Sequence, residues 1–258
     1  QVAGPSVPSN GGTCLSSQSE NLRYLKPSTP WSYGSGAHHS NWEFDLLNNC
    51  IDPNQQVWPF KFHVADGILE NILARVAGYP WHEMPDDGGW DYGTNIDYLK
   101  ELCAYWVDGF DWRAQEARIN SFSNFKAPVD GIDMHFILEQ GSGSEPMPLM
   151  ISHGWPGSVA EFYDLIEPLA HPERFGGNVE DAFTVVAPSL PGFGFSGRPP
   201  RPYGPRKMAN VINSLMTDTL GFDSYLAQGG DWGGAICSWL GYEHTPACAA
   251  IHINVLTM

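Results

Sequence analysis

Two short segments hold the residues best suited to chemistry. The first is Gly229-Gly230-Asp231-Trp232-Gly233, a G-x-D-x-G pattern between an apolar run, Tyr225 to Gln228, and a helical stretch, Trp232 to Tyr242. Its glycines permit a turn too tight for side chains, and such a turn lifts the residue at its apex out at the carboxyl end of a strand. Here that residue is a carboxylate. An Asp at a helix N-terminus faces free N–H groups and the positive end of the helix dipole, which favours its ionised form and suits it to attack a carbon electrophile. Alone, the pattern reads equally well as an Asp that merely caps a helix. The second segment, His153-Gly154-Trp155-Pro156-Gly157-Ser158, follows the apolar run Met147 to Ser152. It leads into Ser158-Val159-Ala160-Glu161, a capping box expected to open a helix through Leu169. With both segments present, the backbone N–H groups of Trp155 and Trp232 are expected to converge on one oxygen beside Asp231 as an oxyanion hole. His153, Gly154, Pro156 and Phe193 are expected to line the pocket, although for His153 the leading reading is structural, a buried hydrogen bond or the positioning of backbone.

Alternating strands and helices are needed to hold these segments. Asp130-Gly131 signals a hairpin, and Ile132, Met134, Phe136 and Leu138 alternate with Asp133 and His135, as in a strand with one wet face. Met147 to Ser152, Phe183 to Ala187, Tyr225 to Gln228 and Ala249 to Leu256 read as buried strands. Between the second and third, Met208, Val211, Ile212, Leu215, Met216 and Leu220 form a helical stripe closed by Gly221. This order implies an α/β fold: a largely parallel sheet with helices on both faces. Residues 58–123 read as mainly helical. Asp66 is placed to cap Ile68 to Val76, Thr94 to Asp97 to open a helix with Leu99, Leu102, Cys103 and Trp106 on one face, and Asp111 to start a third. Trp106, Trp112 and Trp239 are expected in the core, and Glu116 with Arg118 and Asp108 with Arg113 as ion pairs. Residues 1–57, with nine Ser, five Gly, five Pro and six Asn, read as an irregular extension; Trp31, Tyr33, Trp42 and Phe44 argue that it lies on a domain. Residues 124–258 form the α/β part.

Composition excludes several classes of function. Lys and Arg number 13 against 29 Asp and Glu, for a formal net charge of −16, so no nucleic-acid or anionic-membrane partner is expected. With 42% hydrophobic and 13% aromatic residues, the 258-residue chain has the material for a core. No apolar run approaches the roughly 18 residues of a membrane span. The five cysteines include no C-x-x-C pair, and neither a metal nor any other cofactor is expected. The start at Gln1 suggests a removed secretory leader, hence secretion, with Cys14 and Cys50 paired and Cys103 a buried thiol.

From about Trp58 onward the chain resembles epoxide hydrolases of the microsomal type, within the α/β-hydrolase fold. The resemblance rests on Gly88-Gly89-Trp90-Asp91-Tyr92-Gly93, Asp97-Tyr98-Leu99-Lys100, Asp111-Trp112-Arg113, the His153 to Ser158 segment, Pro188-Ser189-Leu190-Pro191-Gly192-Phe193-Gly194-Phe195-Ser196 and the Asp231 turn, all in one order. It implies that Asp231 opens a small hydrophobic epoxide to an ester, and that a water activated by a His paired with an acid then hydrolyses it. Trp155 and Trp232 would supply amides to the oxyanion, and two lid tyrosines would protonate the epoxide oxygen. In the family the tyrosines, the acid and the His lie beyond the sixth strand, and none of the nine histidines of this chain fits the base. The expectation is therefore a nicked protein, whose companion chain supplies these groups and covers the bare edge of the strand Ala249 to Leu256. Two alternatives stand beside it: a haloalkane-type dehalogenase, which also uses an elbow Asp, and a non-catalytic binding or storage relative.

Overall fold

Extended runs with apolar residues on successive positions build one seven-stranded sheet. The computed structural model describes residues 57–83, 85 and 88–255. Most of the irregular extension lies outside them, with its four aromatics and the Cys14–Cys50 pairing, as does Leu256. The strands are β1 (Trp58–Pro59), β2 (Asn124–Val129), β3 (Ile132–Glu139), β4 (Met147–Ser152), β5 (Phe183–Pro188), β6 (Tyr225–Gly229) and β7 (Cys248–Ile253). Their spatial order is β1-β2-β3-β5-β4-β6-β7. The pairs β5/β4, β4/β6 and β6/β7 are parallel, whereas β1/β2, β2/β3 and β3/β5 are antiparallel. The sheet is thus mixed rather than largely parallel. Its antiparallel β2/β3 pair follows from the tight turn at Asp130 (φ 51°) and Gly131 (φ 76°), which folds β3 straight back on β2.

Side chains on a strand alternate between the two faces of the sheet, and each face has its own core. Met134 and Phe136 of β3, Met150 of β4 and Val186 of β5 pack with Met208, Val211, Ile212, Leu215, Ile236 and Leu240. The last six come from helix α5 (Pro205–Ser214), the π turn that extends it (Leu215–Thr219) and helix α6 (Trp232–Glu243). On the opposite face Ile137, Ile151, Val185 and Ala187 meet Val159, Phe162, Ile166 and Ala170. Burial on both faces explains why β4 and β5 read as continuous apolar runs. His135 departs from the expected wet face of β3. It is fully buried, because Asn124 and Ser189 satisfy its ring and Phe60 and Phe195 cover it.

The single helix expected over residues 158–169 is instead a 3-10 turn (Val159–Phe162) followed by a short helix, α4 (Ile166–Ala170). Pro168 is the cause: it has no N–H for the carbonyl four residues back, so it is accommodated only in a first turn.

Before the sheet come α1 (Asp66–Ala77), α2 (Ile96–Asp108) and α3 (Trp112–Ile119). Two caps differ from expectation by one residue. Asn95, not Thr94, caps α2 by accepting from the N–H groups of Asp97 and Tyr98, and Asp66 lies in the first turn of α1 behind Ala65. The ion pairs differ too. Positions two apart on a helix do not face each other, so Glu116 pairs with Arg113 at 2.8 Å while Arg118 reaches Asp164 at 2.6 Å. Arg113 turns toward the preceding segment, where it meets Asp66 and Val64 O. Neither α1 nor α2 buries a residue among the described ones; Trp106 is 45% exposed rather than in the core, Trp112 and Trp239 are half-buried, and Cys103 is a half-buried thiol.

Candidate active site

Asp231 stands between β6 and α6 at the carboxyl end of the parallel strands. Its backbone has φ 52° and ψ −123°, a left-handed conformation that a side chain adopts only when its surroundings enforce it. The glycines nearby show what enforces it. A Cβ at Gly229 would collide with the backbone of Gly233, and a Cβ at Gly233 with the carbonyl oxygen of Ser152 on β4. A Cβ at Gly154 would overlap Asp231 Oδ1 itself. The elbow, the first turn of α6 and the loop after β4 are therefore in direct backbone contact, and only hydrogen fits at these three Cα atoms.

The carboxylate oxygen Oδ1 accepts two backbone hydrogen bonds, from Trp155 N–H at 2.8 Å and Trp232 N–H at 2.6 Å. The two amides that the sequence marked out do converge, and the atom between them belongs to Asp231. Two donors on one oxygen make the carboxylate unsymmetrical: negative charge is better stabilised on Oδ1, between the two amides. Trp155 and Trp232 expose 65% and 37% of their surface beside it. Pro156 is exposed and Phe193 half-buried near the same loop, whereas Gly154 is buried against Asp231.

His153 differs from the expectation that it lines the pocket. It is fully buried, its ring edge against Phe193 at 5.5 Å between centroids. Nδ1 donates to Gly154 O at 3.0 Å and Nε2 accepts from Leu190 N–H at 3.1 Å, so both ring nitrogens are committed to backbone. Burial lowers its pKa, and the nearby Glu161 opposes that only in part. Other histidines are similarly engaged: His63 with Glu116, His135 with Asn124 and Ser189, His171 with Glu139, His244 with Asn210. His82 and His252 are exposed, the latter on β7.

The residues that sequence reasoning did not single out are Asn124, His135, Ser189 and Leu190, which brace the loop after β5. Two of them stand in the Pro188 to Ser196 motif, whose Ser-Leu step was a visible signal; His135 and Asn124 gave none, because a strand histidine and a strand-start asparagine are commonplace. Among the described residues no cluster of His, Cys, Asp and Glu forms a metal site, and no helix is long and apolar enough to cross a membrane.

Two family models match the chain: the epoxide hydrolase N terminus over residues 57–162 and the alpha/beta hydrolase fold over residues 147–256. A bacterial relative from Stigmatella aurantiaca is 37% identical over 199 residues, which are 77% of this chain and 45% of the relative. Epoxide hydrolase 1 of Sus scrofa is 34% identical over 207 residues, 78% of this chain and 45% of that protein. The solved structure of Aspergillus niger epoxide hydrolase superposes with a TM-score of 0.71 at 32% identity, covering 81% of this chain and 54% of that one. The chain spans less than half the length of the curated relatives it matches.

Proposed function

Since the chain belongs to the epoxide hydrolases, joining that family's N-terminal region to the first strands of an α/β-hydrolase domain, we propose that it carries the nucleophilic half of an epoxide-opening site and that Asp231 is the nucleophile. The observation that supports this best is the pair of amides on Oδ1, at 2.8 and 2.6 Å. In the first step Oδ2 attacks a ring carbon of the epoxide, the C–O bond breaks, and the ring oxygen takes a proton from a lid tyrosine. The product is an ester of Asp231. In the second step a water that has given its proton to a histidine adds to Cγ, and the charge collects on Oδ1 between Trp155 N–H and Trp232 N–H. Collapse breaks the bond from Cγ to Oδ2, the leaving alkoxide takes the proton back to give the diol, and the proton left on the Asp231 carboxyl group returns to the tyrosinate. Such amides act where charge develops, and one of them contributes on the order of a hundredfold or more in rate.

We place the histidine base, its acid and the lid tyrosines on a companion polypeptide, so that the working enzyme is a processed heterodimer, and we place that enzyme outside the cell. The companion's seat would be the outer edge of β7, where Ala249, Ala250, Ile251 and His252 are all exposed and the sheet order ends among the described residues. A non-reducing peptide map with Cys14 and Cys50 in one disulfide supports the extracellular placement, and two free thiols oppose it.

The test is covalent. Incubated with styrene oxide, the chain is expected to gain the mass of one epoxide on the peptide containing Asp231, and Asp231→Asn to gain none. Halide release from a haloalkane with no epoxide adduct would move the assignment to a dehalogenase.

A further inference from the structure

Two buried histidines stand in line between the outer strands and Asp231, and their surroundings fix a different tautomer for each. Asn124 donates through Nδ2 to the carbonyls of Ile119 and Phe122, both at 2.8 Å, which turns its Oδ1 toward His135. Because that oxygen only accepts, His135 Nε2 carries the proton, at 3.0 Å. His135 Nδ1 is then an acceptor and takes the hydroxyl hydrogen of Ser189 at 2.9 Å. The same stretch is closed by backbone: Ser189 N–H donates to His135 O, His135 N–H to Ser196 Oγ, and Ser196 Oγ to Ser189 O. Next to Ser189, Leu190 N–H donates to His153 Nε2, so His153 must carry its proton on Nδ1, which donates to Gly154 O. The residue after Gly154 is Trp155, whose N–H holds Asp231 Oδ1.

We propose that His135 and His153 are positioning residues, neutral and in opposite tautomers, that hold the Trp155 amide on Asp231 through the loop after β5. Each link is a hydrogen bond between groups buried away from water, where an unmet donor or acceptor is costly. His135, His153 and Ser189 are fully buried and Asn124 is 5% exposed. Burial depresses the pKa of both rings, that of His135 to about 3, with Lys126 across the β2/β3 pair adding to the effect there; Glu161 is the charged group that acts on His153. A proton added to either ring would put a donor against Ser189 Oγ–H or Leu190 N–H. The arrangement resembles a Ser-His-Asn triad at Ser189, but with no exposure to substrate the geometry positions rather than reacts.

This inference deepens the proposed function, and its main readout is independent of turnover. Nitrogen NMR of the imidazole rings at neutral pH is expected to show Nε2–H for His135 and Nδ1–H for His153, neither of them charged. His153→Phe is expected to raise hydrogen exchange at the Leu190 amide, which loses its acceptor, and at the Trp155 amide, which follows Gly154 once the Gly154 carbonyl is no longer held, by at least about tenfold. His153→Gln retains a donor and an acceptor and should stay within about threefold of the parent. Amides in α5 serve as the control for global loosening. Matching exchange in the Phe and Gln variants, or the reverse tautomers, would overturn the proposal. If the tautomers and exchange follow expectation while styrene oxide never modifies Asp231, the positioning stands and the epoxide reading alone is lost.

Discussion

One carboxylate oxygen between two backbone amides governs what substitutions around Asp231 will do. Asp231→Asn keeps the shape of the elbow but replaces the attacking oxygen or a hydrogen-bond acceptor with an amide, so ester formation should fall by roughly four orders of magnitude or more. Intact mass after exposure to an epoxide reads this directly. Gly154→Ala is a sharper test of the oxyanion loop, because the added methyl overlaps Asp231 Oδ1. The loop must retreat, Trp155 N–H must leave the carboxylate, and release of a preformed Asp231 ester should slow by about a hundredfold or more. Unchanged release in a folded variant would remove Trp155 from the hole. At this scale the sequence was most informative about backbone. Glycine spacing and a capping signal marked where two N–H groups would meet, since close approach leaves a composition signature. It was least informative about His135 and Ser189, whose roles depend on partners 54 residues apart that no local pattern announces.

Among the elements, the segment between β1 and α1 is fastened to α3 by Asn120, which bonds the Phe62 backbone twice, by Arg113, and by the buried carboxylate of Glu116. Glu116 accepts from Val64 N–H at 2.7 Å, from His63 Nδ1 at 2.9 Å and from Arg113 Nη1 at 2.8 Å. These bonds outweigh the cost of burial and lower its pKa from 4.5 to about 2. A carboxylate with a depressed folded-state pKa contributes stability that is complete above its unfolded value and is lost as pH falls through the folded one. The helical region should therefore loosen between about pH 4.5 and pH 2. Glu116→Gln should be less stable at neutral pH and show a shallower loss over that interval, measured by thermal unfolding. Glu116→Ala takes the acceptor from Val64 N–H, while the partly exposed His63 and Arg113 can turn to water, and should cost roughly 1 to 2 kcal/mol. Most helices and strands were legible from periodicity or a turn signal, but β1, in a region that read as helical, was not. Boundaries failed where a stronger local rule competed, as at Pro168, and the extent of burial failed in α1 and α2. There an apolar stripe reports that a face prefers cover, not that cover is present. Ile68, Leu102 and Trp106 are all exposed, and Ile72, Tyr79, Trp81, Leu99 and Cys103 line a groove of about 560 Å³.

For the molecule as a whole, the exposed faces of α1 and α2 and the outer edge of β7 are the surfaces a partner or a further length of chain would cover. A strand edge that no other described strand pairs offers backbone groups to any other strand, and like charge opposes the encounter. With a formal net charge of −16, the chain should self-associate more as salt is raised, because screening removes the repulsion that keeps copies apart. Sedimentation over a range of ionic strength checks this, and Ile251→Lys on the outer strand should reduce it. The central claim, that Asp231 bonds covalently to a strained ring carbon, is tested most directly in water enriched in heavy oxygen. A single turnover of the complete enzyme should leave the heavy atom in the Asp231 carboxyl group and deliver an unlabelled diol, as peptide and product masses would record. A labelled diol formed while the Asp231 peptide keeps its original mass would contradict the account.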